Sequence, residues 1–324
     1  MNGRLQNELI MERKNDEKAR TMPSYVGRWY LNLKASRKTG ATCKSYLNKI
    51  YHFLSYIKDN PLDVSLNDIN ENTVTDYFLS IQTHKTENGI EYTSDSYQCT
   101  VWCCLDSFIG FLFDAGMIER NYIRGIKKPK NRDLTRINEH RVLLTSEDFR
   151  NILECVNENS KEFLKKRDYA ILLTFMNTGM RETALTEITI DDLDIDNGKL
   201  YIIDKGGVRH TYNINDKFSS AIKDWLNVRG RTADNHLFIS DKGKPMHVNT
   251  VAYLVKKYSE KALGHAVSPH KLRAGYCSIL YDKTHDIEFV RRCVGHANTS
   301  TTQRYIVTKG SEKEKAAEIM ADLL

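Results

Sequence analysis

A basic segment at residues 120–142 places the strongest constraint on how this chain can fold. It carries eight basic residues against two acidic ones, so its net charge of +6 equals that of the whole 324-residue chain. It contains Pro129 and lacks the periodic apolar pattern from which a packed helix or strand is built. We therefore predict that 120–142 is a basic linker between two separately folded halves.

The charge of this linker has two interpretations. A run of cations can follow a phosphate backbone, or it can simply keep a solvated linker extended. Composition alone leaves both interpretations open. Under the first, the candidate contacts to nucleic acid are Arg124, Lys127, Lys128, Lys130 and Arg132.

Residues 21–119, before the linker, are predicted to form an all-helical module. Three segments place apolar side chains at helical spacing, namely 42–59, 70–82 and 96–116. Either Asn70 or Asn72 is a suitable N-cap for the second of them. Residues 1–20 are polar and mixed in charge, and we expect them to be an N-terminal extension of this module.

Residues 143–324, after the linker, are predicted to form an α+β domain. Segment 167–180 is apolar enough for a buried helix that ends at Gly179, and a strand-rich stretch follows it. Turn sequences at 196–198 and 205–207 predict hairpins there. The expected fold class is thus an all-α half followed by a mostly helical α+β half with a small antiparallel sheet.

Several classes of protein are excluded by what the sequence lacks. No apolar run approaches the roughly 20 residues that a membrane span needs. The seven cysteines are irregularly spaced without a CxxC pair, which is typical of reduced structural thiols inside a cell. The sequence also lacks a P-loop, a dinucleotide-binding GxGxxG after a strand and an HExxH zinc motif. We therefore expect no cofactor, no metal site and no membrane partner, and a cytoplasmic location.

A series of cationic side chains followed by a tyrosine runs through the second half. One arginine follows the predicted helix end, a lysine lies in a hairpin turn, and an H-x-x-R pair lies in "SPHKLRAG". A histidine and a tyrosine follow in "VGHANTSTTQRY". In chain order the six residues are Arg181, Lys205, His270, Arg273, His296 and Tyr305. Each of these residues alone could have a purely structural role. Tyr305, for example, is one of 17 tyrosines and could simply fill the core.

The chemistry that such a series supports is attack on a phosphodiester. The pentacoordinate transition state carries negative nonbridging oxygens, and the forked donors of two arginines match their geometry. Preorganised cations aimed at developing charge are usually the largest catalytic term. A tyrosine hydroxyl has a pKa of about 10, so it must lose its proton as it attacks, and the leaving 5′ oxygen must gain one.

The order and wording of these motifs resemble those of the tyrosine recombinases, or integrases. The forms T-G-M-R, H-x-L-R and G-H followed by T-x-x-x-Y all occur, and the six residues from Arg181 to Tyr305 lie within 125 positions. The resemblance implies that Tyr305 is the nucleophile of a 3′-phosphotyrosine intermediate and that Lys205 is the general acid. It also implies acid–base assistance by His270 and a hydrogen bond from His296 to a nonbridging oxygen, with no need for ATP or metal.

The same resemblance implies a fold and an assembly. The first half would be a SAM-like helical bundle that binds the core DNA site, and 143–324 would be the catalytic domain of a two-domain, Xer-type or mobile-element integrase. Lys271, beside His270, is a further candidate DNA contact. The partners implied are double-stranded DNA, a homotetramer on two DNA sites and accessory DNA-bending proteins. The amphipathic segment 313–324 would dock on its own domain or on a neighbouring protomer.

Some details differ from the family pattern or stay open. Arg209, near the hairpin turn, is an alternative to Lys205 as the general acid. The family usually has an acid three positions after the first arginine, where this chain has Ala184. The carboxylate that orients Arg181 is therefore Glu182, Glu187 or missing. Two other functions also remain, a catalytically silent DNA-binding protein of the same fold and a type IB topoisomerase-like nicking-closing enzyme.

Overall fold

Contacts divide the computed structural model of this protein into two units, Met1–Arg136 and Ile137–Leu324. The structure describes residues 3–87, 89–130, 143–203 and 209–295. Among these residues, no helix combines the length with the apolar character that crossing a membrane requires.

The first unit contains five helices within its described residues. They enclose a core in which Trp29, Phe53 and Phe108 are fully buried. The helices are α1 (Gly3–Arg20), α2 (Ser24–Ala35), α3 (Gly40–Ile57), α4 (Glu71–Ser80) and α5 (Asp95–Asp114). Short 3₁₀ turns lie at Pro61–Asp63, Leu66–Asp68 and Tyr122–Gly125.

Side-chain caps determine where these helices begin. Asn70 is the N-cap of α4, because its Oδ1 accepts the backbone N–H groups of Asn72 and Thr73 at 3.0 and 3.2 Å. Ser94 caps α5 in the same way, accepting the backbone N–H of Tyr97. Such caps satisfy donors that the first turn of a helix cannot pair internally. Of the two N-caps considered for α4, Asn70 occupies the position.

Helix α1 (Gly3–Arg20) occupies the region that we expected to be an N-terminal extension, and it packs on the helices that follow it. Asn15 is only 2% exposed, and its Nδ2 donates to the carbonyl of Gly40 at 2.9 Å. Ala19 is buried in the same core, and the Tyr30 hydroxyl donates to Asp16 at 2.9 Å. Helix α1 therefore packs on α3 as part of the first unit. The sequence concealed this, because a buried Asn and Ala do not make an apolar stripe.

A two-stranded hairpin adds to the helical module that we predicted. Strand β1 (Thr83–Thr86) pairs antiparallel with β2 (Gly89–Tyr92) between α4 and α5. Ile90 and Tyr92 on β2 are 72% and 84% exposed. With no buried face, these strands lack the alternation by which a half-buried strand is recognised. The hairpin was therefore missed, although the first unit is otherwise helical.

The second unit combines helices with a small sheet. Within the described residues its helices are α6 (Ser146–Val156), α7 (Glu162–Thr178), α8 (Glu182–Glu187), α9 (Asp216–Arg229), α10 (Val248–Leu263), α11 (Pro269–Thr284) and α12 (Ile287–Val294). The sheet has the antiparallel order β3 (Leu193–Asp194), β4 (Lys199–Ile203) and β5 (Arg209–Asn213). The predicted fold class, mostly helical with a small antiparallel sheet in the second half, is confirmed.

Helix α7 is the central helix of the second unit. Every residue from Ala170 to Phe175 is buried, so the helix is covered on all sides. Near its start, Arg167 Nε donates to Asp168 Oδ1 at 2.9 Å, and the Tyr258 hydroxyl donates to Asp168 Oδ2 at 2.9 Å. This buried network ties α7 to α10. The candidate site begins at the far end of α7.

Candidate active site

The site begins where α7 ends, at Gly179. Gly179 adopts the left-handed conformation, with φ of +58°. A Cβ built on it would lie 2.3 Å from Cδ1 of Tyr276, far closer than atoms can approach. Only glycine therefore fits, and it lets the chain turn sharply so that Arg181 follows as the N-cap residue of α8.

Arg273 is the most deeply buried cation of the site. Its side chain is only 2% exposed, on α11. Nη1 donates to the Gly179 carbonyl at 2.5 Å, and Nη2 donates to the Val294 carbonyl at 2.8 Å. These carbonyls lie at the C-terminal ends of α7 and α12, where helix carbonyls lack internal partners. The guanidinium is thus held in one orientation by main-chain atoms of two helices.

One cavity brings three of the predicted residues together. It has a volume of about 200 Å³ and is lined by Met180, Arg181, Glu182, Thr183, Pro269, His270 and Arg273. Helix α11 supplies His270 and Arg273 one turn apart, and Ser268 caps its first turn. His270 lies at the exposed start of that helix, whereas Arg273 lies in its buried part. Three of the six residues in the predicted series, two arginines and a histidine, thus meet at one cavity.

Of the acids considered as partners that orient Arg181, one lies at the cavity. Ala184, at the position where the family usually has an acid, is buried in the hydrophobic core. Glu182 lines the cavity with Arg181, whereas Glu187 is exposed and does not line it. Of the two acids considered, Glu182 is therefore the one at the cavity.

The tyrosine that packs beneath this cavity is unsuited to act as a nucleophile. Burial raises the pKa of Tyr276, because the phenolate would lose its hydration. A tyrosine that attacks a phosphodiester must instead lose its proton readily. Tyr276 is accordingly a packing residue, and the predicted nucleophile remains Tyr305.

A contact that sequence reasoning missed joins the β4–β5 hairpin to the end of α12. Gly295 ends α12 with φ of +67°, and a Cβ built there would lie 2.5 Å from Cε1 of His210 on β5. The two residues are 85 positions apart in sequence. The one sequence feature that hinted at a close contact was the glycine directly before His296. This contact places the strand that follows the Lys205 turn against the residue that precedes His296.

The remaining predicted site residues lie outside the described residues. These are Lys205, His296, Tyr305, Arg132 and the segment 313–324, so their roles stay predictions. Arg209, the alternative to Lys205, stacks with its guanidinium carbon 4.5 Å from the ring centroid of Tyr201. Within the described ranges, no three His, Cys, Asp or Glu side chains are grouped as a metal ion would require.

The basic linker starts as a segment attached to α5. Trp102 Nε1 donates to the Ile126 carbonyl at 2.8 Å, and Cys99 Sγ donates to the Pro129 carbonyl at 2.9 Å. The Lys128 ammonium lies 5.7 Å from the centroid of the Trp102 ring. Residues 126–130 are therefore held against the first unit rather than extended freely in solvent.

The described candidates for DNA contact are all exposed. This holds for Arg124, Lys127, Lys128 and Lys130 in the first unit and for Lys271 in the second. Arg124 also lines a cavity of about 540 Å³ together with Asp106 and Asp114. Exposure is necessary for contact with a phosphate backbone but does not by itself demonstrate it.

Comparison with known proteins gives the family. The phage integrase family matches residues 143–311, more than half of the chain. The tyrosine recombinase XerC of Caldanaerobacter subterraneus subsp. tengcongensis is 35% identical over 219 residues, which span 65% of this chain and 59% of the relative. XerC of Pseudomonas syringae pv. tomato is 25% identical over 287 residues, spanning 88% of this chain and 91% of the relative. For several such relatives, the match spans less than two thirds of their length.

Solved structures give the fold. The XerH site-specific recombinase bound to palindromic difH substrate aligns with a TM-score of 0.69 at 19% identity, covering 96% of this chain and 95% of that one. The Tn1549 transposon integrase in complex with transposon right-end DNA aligns with a TM-score of 0.63 at 17% identity, covering 90% and 97%. With the family match and the shared fold together, this chain belongs to the phage integrase family of tyrosine recombinases.

Proposed function

We propose that this protein is a site-specific DNA recombinase that cleaves and rejoins DNA through a 3′-phosphotyrosine at Tyr305. The observation that carries the proposal is the cavity in which Arg181, His270 and Arg273 converge. A cation cluster of this kind suits a phosphodiester whose nonbridging oxygens carry the negative charge. Membership of the tyrosine recombinase family supports the same activity.

The proposed cleavage step forms one bond and breaks one. The Tyr305 oxygen bonds to phosphorus as the bond from phosphorus to the 5′ oxygen breaks. His270 accepts the hydroxyl proton of Tyr305, and Lys205 supplies a proton to the leaving 5′ oxygen. Arg181 and Arg273 neutralise the nonbridging oxygens in the transition state. Because the phosphotyrosine keeps the energy of the phosphodiester, religation by a 5′ hydroxyl needs no ATP.

The burial of Arg273 is what makes the cavity effective. Its guanidinium is fixed by the Gly179 and Val294 carbonyls before DNA arrives, so little reorganisation is needed during the reaction. Removing one such preorganised donor commonly reduces the rate about 10²–10³-fold. His270 lies at the exposed edge of the cavity, where it can exchange protons.

The partners and the assembly belong to the same proposal. Double-stranded DNA is the substrate, as in the DNA-bound structures of XerH and of the Tn1549 integrase that share the fold. A lambda integrase tetramer bound to a Holliday junction shares it as well, with a TM-score of 0.60 at 18% identity. We infer a homotetramer joined through segment 313–324, which acts in the cytoplasm. The reaction would integrate or excise a mobile element or resolve DNA as Xer proteins do, with DNA-bending proteins as accessories.

Trapping on nicked DNA tests this function. Nicked suicide duplexes tiled across the DNA that flanks the gene would be incubated with wild type, Tyr305→Phe and Tyr253→Phe. Tyr253 is the matched control, because it is a 68% exposed tyrosine on α10 outside the cavity. We expect a covalent protein–DNA adduct from wild type and Tyr253→Phe only. No adduct, or one that persists in Tyr305→Phe, would contradict the proposal, and relaxation of a plasmid without a site would indicate a topoisomerase.

A further inference from the structure

A second cleft in the second unit carries positive charge that the proposed reaction does not use. It lies between α7 and α9, and we call it the α7–α9 cleft. Its volume of about 370 Å³ falls within the roughly 300–1,000 Å³ typical of small-ligand sites. Its polar lining comes mainly from Lys165, Lys166, Tyr169, Lys217, Ser220 and Asp224.

The single carboxylate in this lining is already neutralised. Lys166 Nζ donates to Asp224 Oδ2 at 2.8 Å and lies 3.7 Å from Glu162 Oε1. The hydrogen bond to Asp224 raises the pKa of Lys166, which keeps the ammonium charged. Asp224 therefore adds no net negative charge to the cleft.

Two further lysines of the lining make no ion pair in the part of the chain that the structure describes. Lys165 is on α7 and Lys217 is on α9, and both line the cleft. Within the described residues, neither is joined to a carboxylate by an ion pair. Two ammonium groups that line one cleft give it a positive potential, so an anion bound in the cleft would be stabilised.

Hydroxyl groups complete the set of donors. Tyr169 is half-buried and packs against the core, so the position of its ring is fixed. Ser220 lies on α9, next to the buried and small Ala221. Ammonium and hydroxyl donors on two walls match the tetrahedral oxygens of a phosphate better than the planar pair of a carboxylate.

We propose that the α7–α9 cleft binds a phosphate group through Lys165, Lys217, Tyr169 and Ser220. The phosphate belongs either to a free phosphorylated ligand or to a phosphodiester of DNA. Lys165 lies 14 residues before Gly179, about 20 Å along the helix at 1.5 Å per residue. The cleft is therefore a separate site from the cavity of Arg181 and Arg273.

Titration with inorganic phosphate is the first arm of the test. Calorimetry at constant ionic strength would compare wild type with Lys165→Gln/Lys217→Gln. The matched control is Lys223→Gln/Lys283→Gln, which removes the same charge from exposed positions outside the cleft. For a free-ligand site we expect the first double variant to bind phosphate at least about tenfold more weakly, and the control to bind as wild type does. Thermal unfolding of the variants confirms that both are folded.

Titration with duplex DNA of unrelated sequence is the second arm. If the cleft takes a phosphodiester of DNA, Lys165→Gln/Lys217→Gln should reduce the slope of log Kd against log salt by up to about 1.8, at roughly 0.9 per lost phosphate contact. An unchanged slope together with weakened phosphate binding identifies a free ligand as the source. If both arms are the same for wild type and both double variants, the proposal is overturned. Both arms measure binding alone, so their outcome is independent of whether the protein rejoins DNA.

Discussion

Arg273 joins three helices of the second unit through one guanidinium group. It projects from α11 and donates to the carbonyls of Gly179 and Val294, at the ends of α7 and α12. A buried charge is tolerated only when its donors are satisfied in this way. The same bonds that satisfy the buried charge also fix the direction of the guanidinium, so the stability of the fold and the orientation of Arg273 depend on the same contacts.

Gly179→Ala should destabilise the protein more than a glycine substitution at an ordinary helix end. The new Cβ would clash with the Tyr276 ring at 2.3 Å, in addition to the strain of a left-handed alanine. Gly264→Ala is the matched control, because Gly264 also ends a helix with positive φ but has no atom within 4 Å of a built Cβ. We expect Gly264→Ala to cost about 1–2 kcal/mol and Gly179→Ala about 1–3 kcal/mol more.

Urea unfolding followed by circular dichroism measures both costs. The midpoint should fall in the order wild type, Gly264→Ala, Gly179→Ala. Equal midpoints for the two variants would mean that Tyr276 moves aside freely. The close contact between Gly179 and Tyr276 would then contribute nothing to the free energy of unfolding.

At this scale the sequence pointed to residues that the structure brings to one cavity, but not to the contacts that hold them. The prediction rested on six residues in order, of which Arg181, His270 and Arg273 line that cavity. The carbonyl partners of Arg273 are 94 and 21 positions away in sequence, and main-chain carbonyls carry no residue-specific signal. Such contacts follow from the way the helices pack, and the patterns in this sequence do not predict that packing.

Among the secondary-structure elements, the contact between β5 and the end of α12 joins the β4–β5 hairpin to the helix that ends directly before His296. His210 packs on Gly295 so closely that a Cβ would lie 2.5 Å from the ring. Gly295→Ala should therefore displace α12 from the sheet and reduce adduct formation at least about tenfold, since small displacements at a reacting centre are costly. DNA binding, measured by gel shift, should be retained.

Gly230→Ala is the control for this substitution. Gly230 ends α9 with a similar φ of +66°, but nothing lies within 4 Å of a built Cβ. Its rate of adduct formation should match that of wild type. If Gly295→Ala also keeps the wild-type rate, the contact between hairpin and helix is not needed to assemble the site.

The turns between α3 and α4 should make the first unit sensitive to acid. Asp68 accepts from Lys58 at 2.5 Å and from the Ser65 backbone N–H at 2.7 Å. The bond to Lys58, with those from Ser65, lowers the pKa of Asp68 to about 2. A carboxyl whose pKa is lowered by folding stabilises the protein above its unfolded pKa, about 3.9, and loses that effect as the pH falls towards 2.

Asp68→Asn should therefore be less stable than wild type at pH 5 and similar to it near pH 2. Thermal unfolding of the two proteins across this range measures the difference. Asp59→Asn, at an exposed position outside this cluster, should show no such dependence on pH. A difference between wild type and Asp68→Asn that stays constant from pH 5 to pH 2 would show that Asp68 makes no charge-dependent contribution.

Elements with a buried face were predictable, and those without one were not. The apolar periodicity of α3 and α5 and the turn before β4 each indicated the element that formed. Helix α1 buries an asparagine and an alanine, and β2 buries nothing, so neither shows an apolar pattern. Such elements are stabilised by hydrogen bonds and by local turn geometry, and neither of these appears in a hydrophobic pattern.

At the scale of the whole molecule, the main question is what the positive charge of the linker does. Its first residues are attached to α5 through Trp102 and Cys99, with Lys127 and Lys130 exposed. A cationic segment held against a folded surface loses little freedom on binding DNA, whereas a free linker would lose more. On this ground we propose that the linker contacts DNA and is more than a solvated connection.

Lys127→Gln/Lys130→Gln should accordingly weaken DNA binding in a salt-dependent way. Each lost phosphate contact lowers the slope of log Kd against log salt by roughly 0.9, so the double variant should lose up to about 1.8. Lys223→Gln/Lys283→Gln again removes equal charge elsewhere and should keep the wild-type slope. Fluorescence anisotropy between low and moderate salt measures both, and a wild-type slope in Lys127→Gln/Lys130→Gln would leave the linker as a spacer.

Chemical mapping of the trapped DNA adduct tests the central claim most directly. The adduct would be formed in EDTA, digested with protease and nuclease, and sequenced by mass spectrometry. The account predicts that Tyr305 is joined to a 3′ phosphate with a free 5′ hydroxyl on the other strand end, in undiminished yield because side-chain cations neutralise the transition state. A link to another residue, a 5′ phosphate linkage, or loss of the adduct in EDTA with recovery in magnesium would contradict it.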